Sequence, residues 1–246
     1  MQSKATNCPV LYDANGLLIV DKPEGVLSHP NVKSGLPAGR CAFEGPYHFE
    51  RRCFKTPEGP VWLIHRLDQD TSGILIATRT ERTAEQCRAE FESGRIRKYY
   101  ATLVSGTLKP RSGEWRDFIL TEKKAGRARS RILPRHSKNA SLRYSIQNYF
   151  GLRPTFTLLR IELLTGKTHQ IRIQSASRNH PIAGDEIYGN FPLNRELRKS
   201  IGLRRLFLHA GELELKNPDT GKTLHIKAPM PESLKSVLSR LAELQA

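Results

Sequence analysis

A polar loop with the sequence HRLDQDTSG, residues 65–73, separates the apolar segments VWLI and ILIAT. The loop carries two carboxylates, Asp68 and Asp70, next to His65 and Arg66. Carboxylates can act as nucleophiles or general bases, and an arginine can hold a phosphate or another carboxylate. Short apolar runs on both sides are typical of buried strands. The sequence therefore predicts a candidate site in a loop that two strands hold at both ends.

Two other interpretations of this loop compete with a catalytic one. Its stretch DQDTSG matches the first half of an EF-hand calcium loop, but the twelfth position, which must be a glutamate, is Arg79. The predicted flanks are strands rather than helices, so calcium binding is disfavoured. Asp and Ser side chains also stabilise ordinary turns by accepting from backbone N–H groups. A simple turn does not explain why His65 and Arg66 are placed there as well.

The stretch TGKT, residues 165–168, resembles part of a phosphate-binding loop. The full pattern requires a glycine five residues before the second one, and that position is Ile161. A nucleoside-triphosphate site is therefore excluded. We predict instead that Thr168 caps a helix that contains HQIRIQSASRNH. The alternation of Ile171 and Ile173 is also compatible with a strand, so the local pattern leaves this element open.

The chain is strongly basic, and this favours a polyanionic partner. Lys and Arg number 40 against 24 Asp and Glu, a formal charge of +16 with a pI near 10.0. Such a surplus repels itself and does not help folding, but it raises affinity for nucleic acid. The basic residues are concentrated in two stretches, KKAGRARSRILPR and RELRKSIGLRR. In the first, the candidate phosphate-binding residues are Lys123, Lys124 and Arg127, followed by Arg129, Arg131 and Arg135.

Length and cysteine usage indicate a reduced, intracellular domain. We expect the 246 residues to form a single domain, with the N-terminal region too short for a further RNA-binding module. The four cysteines are scattered without a C-x-x-C pair, which argues against structural zinc and a disulfide framework. No signal peptide and no apolar run of about 20 residues is visible, so we expect a cytoplasmic protein that no membrane holds.

The element pattern predicts a mixed α/β (α+β) domain with a mostly antiparallel central sheet. Leu17–Val20 is a short buried strand, and LRYSIQNYF and TFTLLRIELL alternate as half-buried strands do. Residues 80–94 are predicted to be helical, with Thr78 or Thr80 as a candidate N-cap and Gly94 at the end. Residues 206–229 form a predicted hairpin, and a helix covers 231–246. The segment 32–60 is predicted to be a surface excursion without regular structure.

Four stretches in order resemble the signatures of the RluA-type pseudouridine synthases. They are LLIVDKPEGVLSHP, HRLDQDTSGILIATRT, RKYYATLVSG and LLTGKTHQIRIQSASRNHPIAGDEIYG. The resemblance runs from about residue 11 to about residue 229, and the combination HRLDxxTSG with TG[KR]THQIR is highly specific. It implies the pseudouridine synthase fold, RNA as the substrate, no cofactor and no metal. A monomer is the expectation for this family.

The resemblance also implies roles for individual residues. Asp68 is the catalytic carboxylate and Asp70 is structural, because it occupies a variable position. Arg172 is the basic residue that pairs with that aspartate, which offsets the cost of burying a carboxylate. Tyr100 is the active-site tyrosine, and Tyr99 faces the opposite side of its strand.

The family's reaction requires the target uridine to leave its stack. We expect Arg66 to occupy the vacated space or hold a phosphate, and Thr71 to shape the turn that presents Asp68. His65 either touches RNA or supports the loop. Gln174 and Ser175 stand where relatives often carry His-Leu, which predicts looser packing behind the arginine.

Two other functions stay open at this point. One is an RNA-binding protein that has kept the fold and lost the chemistry, and the presence of Asp68, Tyr100 and Arg172 together argues against it. The other is a hydrolase of nucleoside bonds, which would need a positioned water and commonly a second carboxylate. Asp70 is the only candidate for that second group in the loop.

Overall fold

The structure is a computed structural model that describes residues 6–30, 40–124, 127–134, 136–151 and 154–245. The side chains of Lys123, Lys124 and Arg127 lie outside the described part. The chain divides into two compact units. The first contains residues 1–98 and 210–229, and the second contains residues 99–209 and 230–246.

Strands dominate the first unit. Their bounds are β1 Val10–Ala14, β2 Leu17–Lys22, β3 Tyr47–His48, β4 Cys53–Thr56, β5 Gly59–Leu63 and β6 Ser72–Thr78, followed much later by β13 Leu208–Lys216 and β14 Thr223–Lys227. Strands β3, β4, β5 and β6 pair in that order, and β2 pairs with both β1 and β6. All of these pairings are antiparallel. The strands predicted on both sides of the polar loop are confirmed.

Strand β6 is buried along its whole length because apolar clusters cover both of its faces. Ile74 and Ile76 pack in one cluster with Leu17 and Ile19 of β2. The intervening residues of β6, including Leu75, pack in the other cluster. Side chains of a strand alternate between faces, so burial on both faces produces the continuous apolar run seen in the sequence.

Helix α1 spans Glu81–Glu92 and confirms the predicted helix of this region. Thr80 is its N-cap, because the Thr80 hydroxyl accepts from the Thr83 N–H at 3.1 Å. Gly94 follows the C-cap with φ +73°, a conformation that glycine adopts without a Cβ penalty. Ala84 and Cys87 face the core, and each such burial removes apolar surface from water.

The prediction that residues 32–60 lack regular structure is wrong for the part that the structure describes. Strands β3 and β4 lie there, and Phe43 and Phe54 are almost completely buried, with ring centroids 5.6 Å apart. Elements of two and four residues are too short to produce a readable hydrophobic period. Residues 31–39 lie outside the described part.

The second unit combines an antiparallel sheet with helices. Its elements are β7 Arg97–Ser105, which begins at the end of the first unit, then β8 Ser112–Asp117, β9 Ile119–Lys124, β10 Arg127–Ile132, β11 Ala140–Phe150, β12 Phe156–Leu163, α2 Gln170–Ala176, α3 Phe191–Ser200 and α4 Glu232–Glu243. The sheet order is β7, β12, β11, β8, and β9 pairs separately with β10. The two alternating segments of the sequence are β11 and β12, as predicted. Antiparallel sheets with helices confirm the mixed α+β class.

Helix α2 settles the ambiguous segment after TGKT, but the predicted cap is wrong. The N-cap is His169 in a left-handed conformation with φ +55°, and no side chain caps the helix. Gln170 organises the approach instead, since its Oε1 accepts from the Lys167 N–H and from the Thr165 hydroxyl. Thr168 contributes its carbonyl oxygen, which accepts from the Ser130 hydroxyl at 2.7 Å.

The C-terminal elements follow the sequence pattern closely. Asn217 closes the β13–β14 turn, because its side-chain oxygen accepts from the N–H groups of Asp219 and Thr220. Helix α4 buries Leu234 and Leu241, whereas Leu244 at the end of the predicted stripe is 59% exposed. None of the helices in the described part of the chain has the length and apolar character needed to cross a membrane.

Candidate active site

The loop HRLDQDTSG links β5 to β6 in the first unit, and it contains a tight turn. The Thr71 N–H donates to the Asp68 carbonyl oxygen at 3.1 Å, which closes a four-residue turn. Asp68 is half-buried, Asp70 is exposed and Thr71 is buried. The two carboxylates therefore occupy different environments, and Asp68 is the less exposed of the two.

Ser28 clamps the residue that precedes Asp68. Its hydroxyl donates to the Leu67 carbonyl oxygen at 2.9 Å and accepts from the Leu67 N–H at 3.0 Å. Both groups of this backbone unit are thus satisfied by one buried side chain. Bonds in both directions fix the orientation of the peptide as well as its position.

Lys22 supports the residue that follows Asp68. The lysine is fully buried at the end of β2, and its ammonium donates to the carbonyl oxygens of Pro23, Val26 and Gln69 at 2.8, 2.8 and 3.2 Å. The Gly25 N–H also donates to the Gln69 oxygen at 2.9 Å. A buried ammonium needs such acceptors to offset its lost hydration. The stretch DKPEGVLS therefore forms a support along the loop that carries Asp68.

His65 is an internal anchor of the same loop. It is 8% exposed, its Nε2 accepts from the Ile76 N–H at 3.1 Å, and its ring stacks on Phe91 at 5.3 Å. Burial, and then the charge of Lys98, lower the pKa of His65 from 6.5 to about 3. The imidazole is therefore neutral at physiological pH. Of the two roles left open for His65, these contacts favour support of the loop.

Gly73 ends the loop at a position where no side chain fits. Its φ is +115°, and a Cβ there would lie 2.3 Å from the Ala210 carbonyl oxygen. Only glycine combines this conformation with so close an approach of a neighbouring strand.

Arg66 projects from the loop and is exposed, as a residue that meets RNA would be. Its Nη1 lies 3.4 Å from Nε2 of His29, and an arginine can only donate in such a bond. The Nδ1 of His29 lies 2.9 Å from the Pro30 oxygen. His29 thus lies next to Arg66, the exposed cation of the loop.

In the second unit, Tyr100 lies on β7 opposite Ile161 of β12 and is 6% exposed. Tyr99 is equally buried, and the Arg160 guanidinium lies 3.6 Å from the centre of its ring. The two tyrosines follow each other on one strand, so they point to opposite faces, as predicted.

Arg172 is buried on α2 and forms a bidentate ion pair with Asp185. The Nε and Nη2 atoms donate to the two carboxylate oxygens at 2.8 Å each. The same carboxylate accepts from the backbone N–H groups of Ile187 and Tyr188. Burial would raise the pKa of Asp185, but the bonds and charge of Arg172 outweigh it and the pKa is lowered. Asp185 therefore fixes the guanidinium in one plane.

Asp68 lies in the first unit, whereas Tyr100 and Arg172 lie in the second. The predicted pairing of Asp68 with Arg172 therefore stays a prediction. The strand positions of Lys123, Lys124 and Arg127 lie on β9 and β10, but their side chains lie outside the described part. Packing behind α2 is polar: Gln174 is fully buried, and its amide donates to Asp117 at 2.6 Å.

A comparison with known protein families decides the identity of the chain. The profile of the RNA pseudouridylate synthases matches residues 16–177. The chain belongs to this family. It is an RNA pseudouridine synthase of the RluA type, and its enzyme class is isomerase.

Named relatives agree with this assignment. "Ribosomal large subunit pseudouridine synthase C" of Escherichia coli K12 is 31% identical over 94% of this chain and 69% of its own length. The Pasteurella multocida protein of the same name is 30% identical over 95% of this chain and 68% of its own. Two human structures share the fold. "Human RNA Pseudouridylate Synthase Domain Containing 4" has a TM-score of 0.68 and 21% sequence identity, and the match covers 95% of this chain and 92% of that chain. "Human RNA Pseudouridylate Synthase Domain Containing 1" has a TM-score of 0.66 and 22% sequence identity, and the match covers 100% of this chain and 97% of that chain.

Three residues of this pseudouridine synthase were missed at the level of sequence: Lys22, Ser28 and Asp185. All three lie in stretches that carry the family resemblance, and a lysine two residues after the apolar run LLIV was the visible signal for the first. Among the described residues, no group of three or more His, Cys, Asp or Glu is arranged to hold a metal ion.

Proposed function

We propose that this chain converts uridines of large-subunit ribosomal RNA to pseudouridine, with Asp68 as the catalytic carboxylate. The observation that carries the proposal is the half-buried Asp68 on a turn whose two neighbouring peptides are held by Ser28 and Lys22. Such clamping prepares a reactive group before the substrate arrives, which lowers the cost of reaching the transition state.

The reaction is an isomerisation that balances without a co-reactant. The bond from C1′ to N1 of the uridine breaks, the uracil turns, and C1′ bonds to C5. The proton on C5 leaves, and N1 ends with a proton. The Asp68 carboxylate starts the reaction either by attacking C1′ or by removing a proton from the sugar. No cofactor takes part in either route.

Arg172 and Tyr100 are proposed to complete the catalytic set. Asp185 accepts from Nε and Nη2 of Arg172. These two bonds fix the plane of the guanidinium and therefore the direction of its third nitrogen, Nη1. We propose that Arg172 pairs with Asp68 and keeps it charged, as the family resemblance implies. The Tyr100 ring would stack on the uracil, with its hydroxyl close to the C5 proton.

The substrate must present its uridine outside the RNA stack, at a cost of a few kcal/mol. We propose that the exposed Arg66 fills the vacated space or holds a phosphate, and that Thr71 keeps the turn in place. His65 is proposed to affect binding only by supporting the loop. The β9–β10 hairpin carries Lys123, Lys124 and Arg127, which would contact phosphates of the RNA further from the target uridine.

Ribosomal RNA is preferred over transfer RNA because the relatives at 30–31% identity carry ribosomal names. Transfer RNA is the alternative substrate. The four free cysteines are consistent with action in the reducing cytoplasm, and the protein is proposed to act as a monomer.

The deciding experiment is tritium release from RNA labelled at C5 of uridine. Ribosomal and transfer RNA from cells that lack this gene are assayed separately, with Asp68→Asn as the inactive control. Release from ribosomal RNA by the wild type alone supports the proposal. Release from transfer RNA alone would correct the substrate, and no release beside tight RNA binding would favour a binding protein. Free uracil among the products would identify a hydrolase.

A further inference from the structure

Three large hydrophobic side chains in the described part of the chain are well exposed, and one of them lies beside the catalytic loop. Phe49 is 42% exposed in the turn between β3 and β4. The other two belong to the second unit, where Phe191 begins α3 and Leu244 directly follows α4. Phe49 belongs to the segment whose role the family resemblance does not explain.

Phe49 is part of a cluster of aromatic rings that we call the ring cluster, formed by His29, Tyr47 and Phe49. The His29 and Tyr47 rings stack with centroids 5.2 Å apart and an interplanar angle of 10°. Phe49 meets Tyr47 edge to face at 4.9 Å and His29 at 6.0 Å. Contacts on two sides hold the exposed ring in place, so little entropy is lost when a ligand covers it.

The ring cluster is joined to the catalytic loop at two points. His29 is hydrogen-bonded to Arg66, as described above. Arg52, at the end of the turn that carries Phe49, donates to the Ile64 carbonyl oxygen at 3.1 Å. Ile64 directly precedes the loop, so the exposed ring and the catalytic turn belong to one connected surface of the first unit.

Three arginines lie close to the ring cluster. Arg52, Arg88 and Arg66 each lower the pKa of the Tyr47 hydroxyl, although burial outweighs them and the pKa is raised. Aromatic rings among arginines suit an unpaired nucleobase, because the base stacks on the ring while the cations meet its phosphates. A second copy of this chain, with a net charge of +16, would be repelled.

We propose that the ring cluster is a stacking site for one unpaired nucleobase of the substrate RNA, close in the strand to the target uridine. Phe49 supplies the ring face and Arg66 the neighbouring cation. The site deepens the proposed function and rests on it, since the RNA is the substrate. The segment 40–56 thereby selects targets whose flanking nucleotide is unpaired.

The test compares Phe49→Leu, Phe49→Trp and the wild type. Leucine retains apolar packing but removes the ring face, whereas tryptophan retains a ring. We expect Phe49→Leu to weaken binding to in vitro transcribed large-subunit ribosomal RNA by about 5- to 100-fold, mainly as a higher KM, and Phe49→Trp to restore it. Phe191→Leu, at an even more exposed ring on α3, should bind as the wild type does. Equal affinity for Phe49→Leu and the wild type would overturn the proposal.

An abasic scan then identifies the base. Single abasic nucleotides are placed on each side of the converted uridine in an RNA oligonucleotide. One position should weaken wild-type binding but not binding by Phe49→Leu, because the stack is already lost. Additive losses at every position would refute the stacking site. Wild-type tritium release on the same RNA reports on the proposed function alone. Failure of the proposed function and failure of the stacking site are therefore distinguishable, because the affinity comparison decides whether the ring binds RNA even when no tritium is released.

Discussion

At the scale of single residues, Arg172 and Asp185 form an ion pair that is almost completely buried. We predict that Asp185→Asn lowers the free energy of unfolding by about 3 kcal/mol or more, because it removes the bidentate partner of a buried guanidinium. Turnover should fall as well, mainly in kcat, since Arg172 is no longer held in one plane. Denaturant unfolding and initial rates measure the two effects.

The matched control lies on the adjacent residue. Glu186 forms a surface ion pair with Arg198 at 3.3 Å, in which both side chains are more than half exposed. Glu186→Gln should therefore change stability by less than about 1 kcal/mol. If the two substitutions had equal effects, the buried pair would have no special role.

The buried imidazole of His65 makes stability depend on pH in a defined direction. Its pKa is lowered from 6.5 to about 3 on folding, so below pH 6.5 the unfolded chain binds a proton that the folded chain does not. Stability is therefore lost as the pH falls. Between about pH 7 and pH 5 this site alone should cost about 2 kcal/mol.

We predict that His65→Gln removes that part of the pH dependence, because glutamine can accept from Ile76 but does not titrate. Urea unfolding at the two pH values measures the slope for each variant. His48→Gln, at an exposed position of β3, should keep the slope of the wild type. A wild-type slope in His65→Gln would show that another group produces the acid sensitivity.

At the scale of elements, the loop that carries Asp68 depends on the segment from the end of β2 to Ser28. We predict that Ser28→Ala costs about 1–3 kcal/mol, because it leaves the buried N–H and carbonyl of Leu67 without their partner. It should also lower kcat more than it raises KM, since Asp68 follows Leu67 directly. Ser200→Ala, which removes an exposed hydroxyl on α3, should be neutral in both measurements.

The same elements explain what the sequence could and could not predict. Strands β5 and β6 and helix α1 were predictable because their signals are local: an apolar run, a Thr80 cap and a glycine end. The contacts of Ser28 with Leu67 and of Lys22 with Gln69 span 39 and 47 residues, and no local pattern encodes them. The Thr168 cap failed because the helix begins one residue later, with His169 at the N-cap position, and the Gln170 N–H donates to the Lys167 carbonyl oxygen instead of to a threonine side chain. Asp185 was hidden for a similar reason, since its partner is 13 residues away on another element.

At the scale of the whole molecule, a chain with a net charge of +16 is expected to make several phosphate contacts, and these contacts should make RNA binding strongly dependent on salt. The β9–β10 hairpin concentrates Lys123, Lys124 and Arg127 at its tip, where the strand register pairs Arg127 with Lys124. We predict that changing all three to alanine weakens RNA binding and reduces the slope of log affinity against log salt by about 2, which is about 0.7 for each lost phosphate contact.

A control with the same loss of charge separates local contact from net charge. Arg95, Arg97 and Arg116 each lie within 3.5 Å of a glutamate oxygen, so their guanidinium groups already have carboxylate partners. Alanine at these three positions removes the same three charges as the hairpin variant. Because screening of a general field changes the slope little, we expect this control to keep the wild-type slope, measured by fluorescence anisotropy across a salt series. Identical slopes in the two triple variants would mean that the hairpin attracts RNA through the general field and contacts no phosphate.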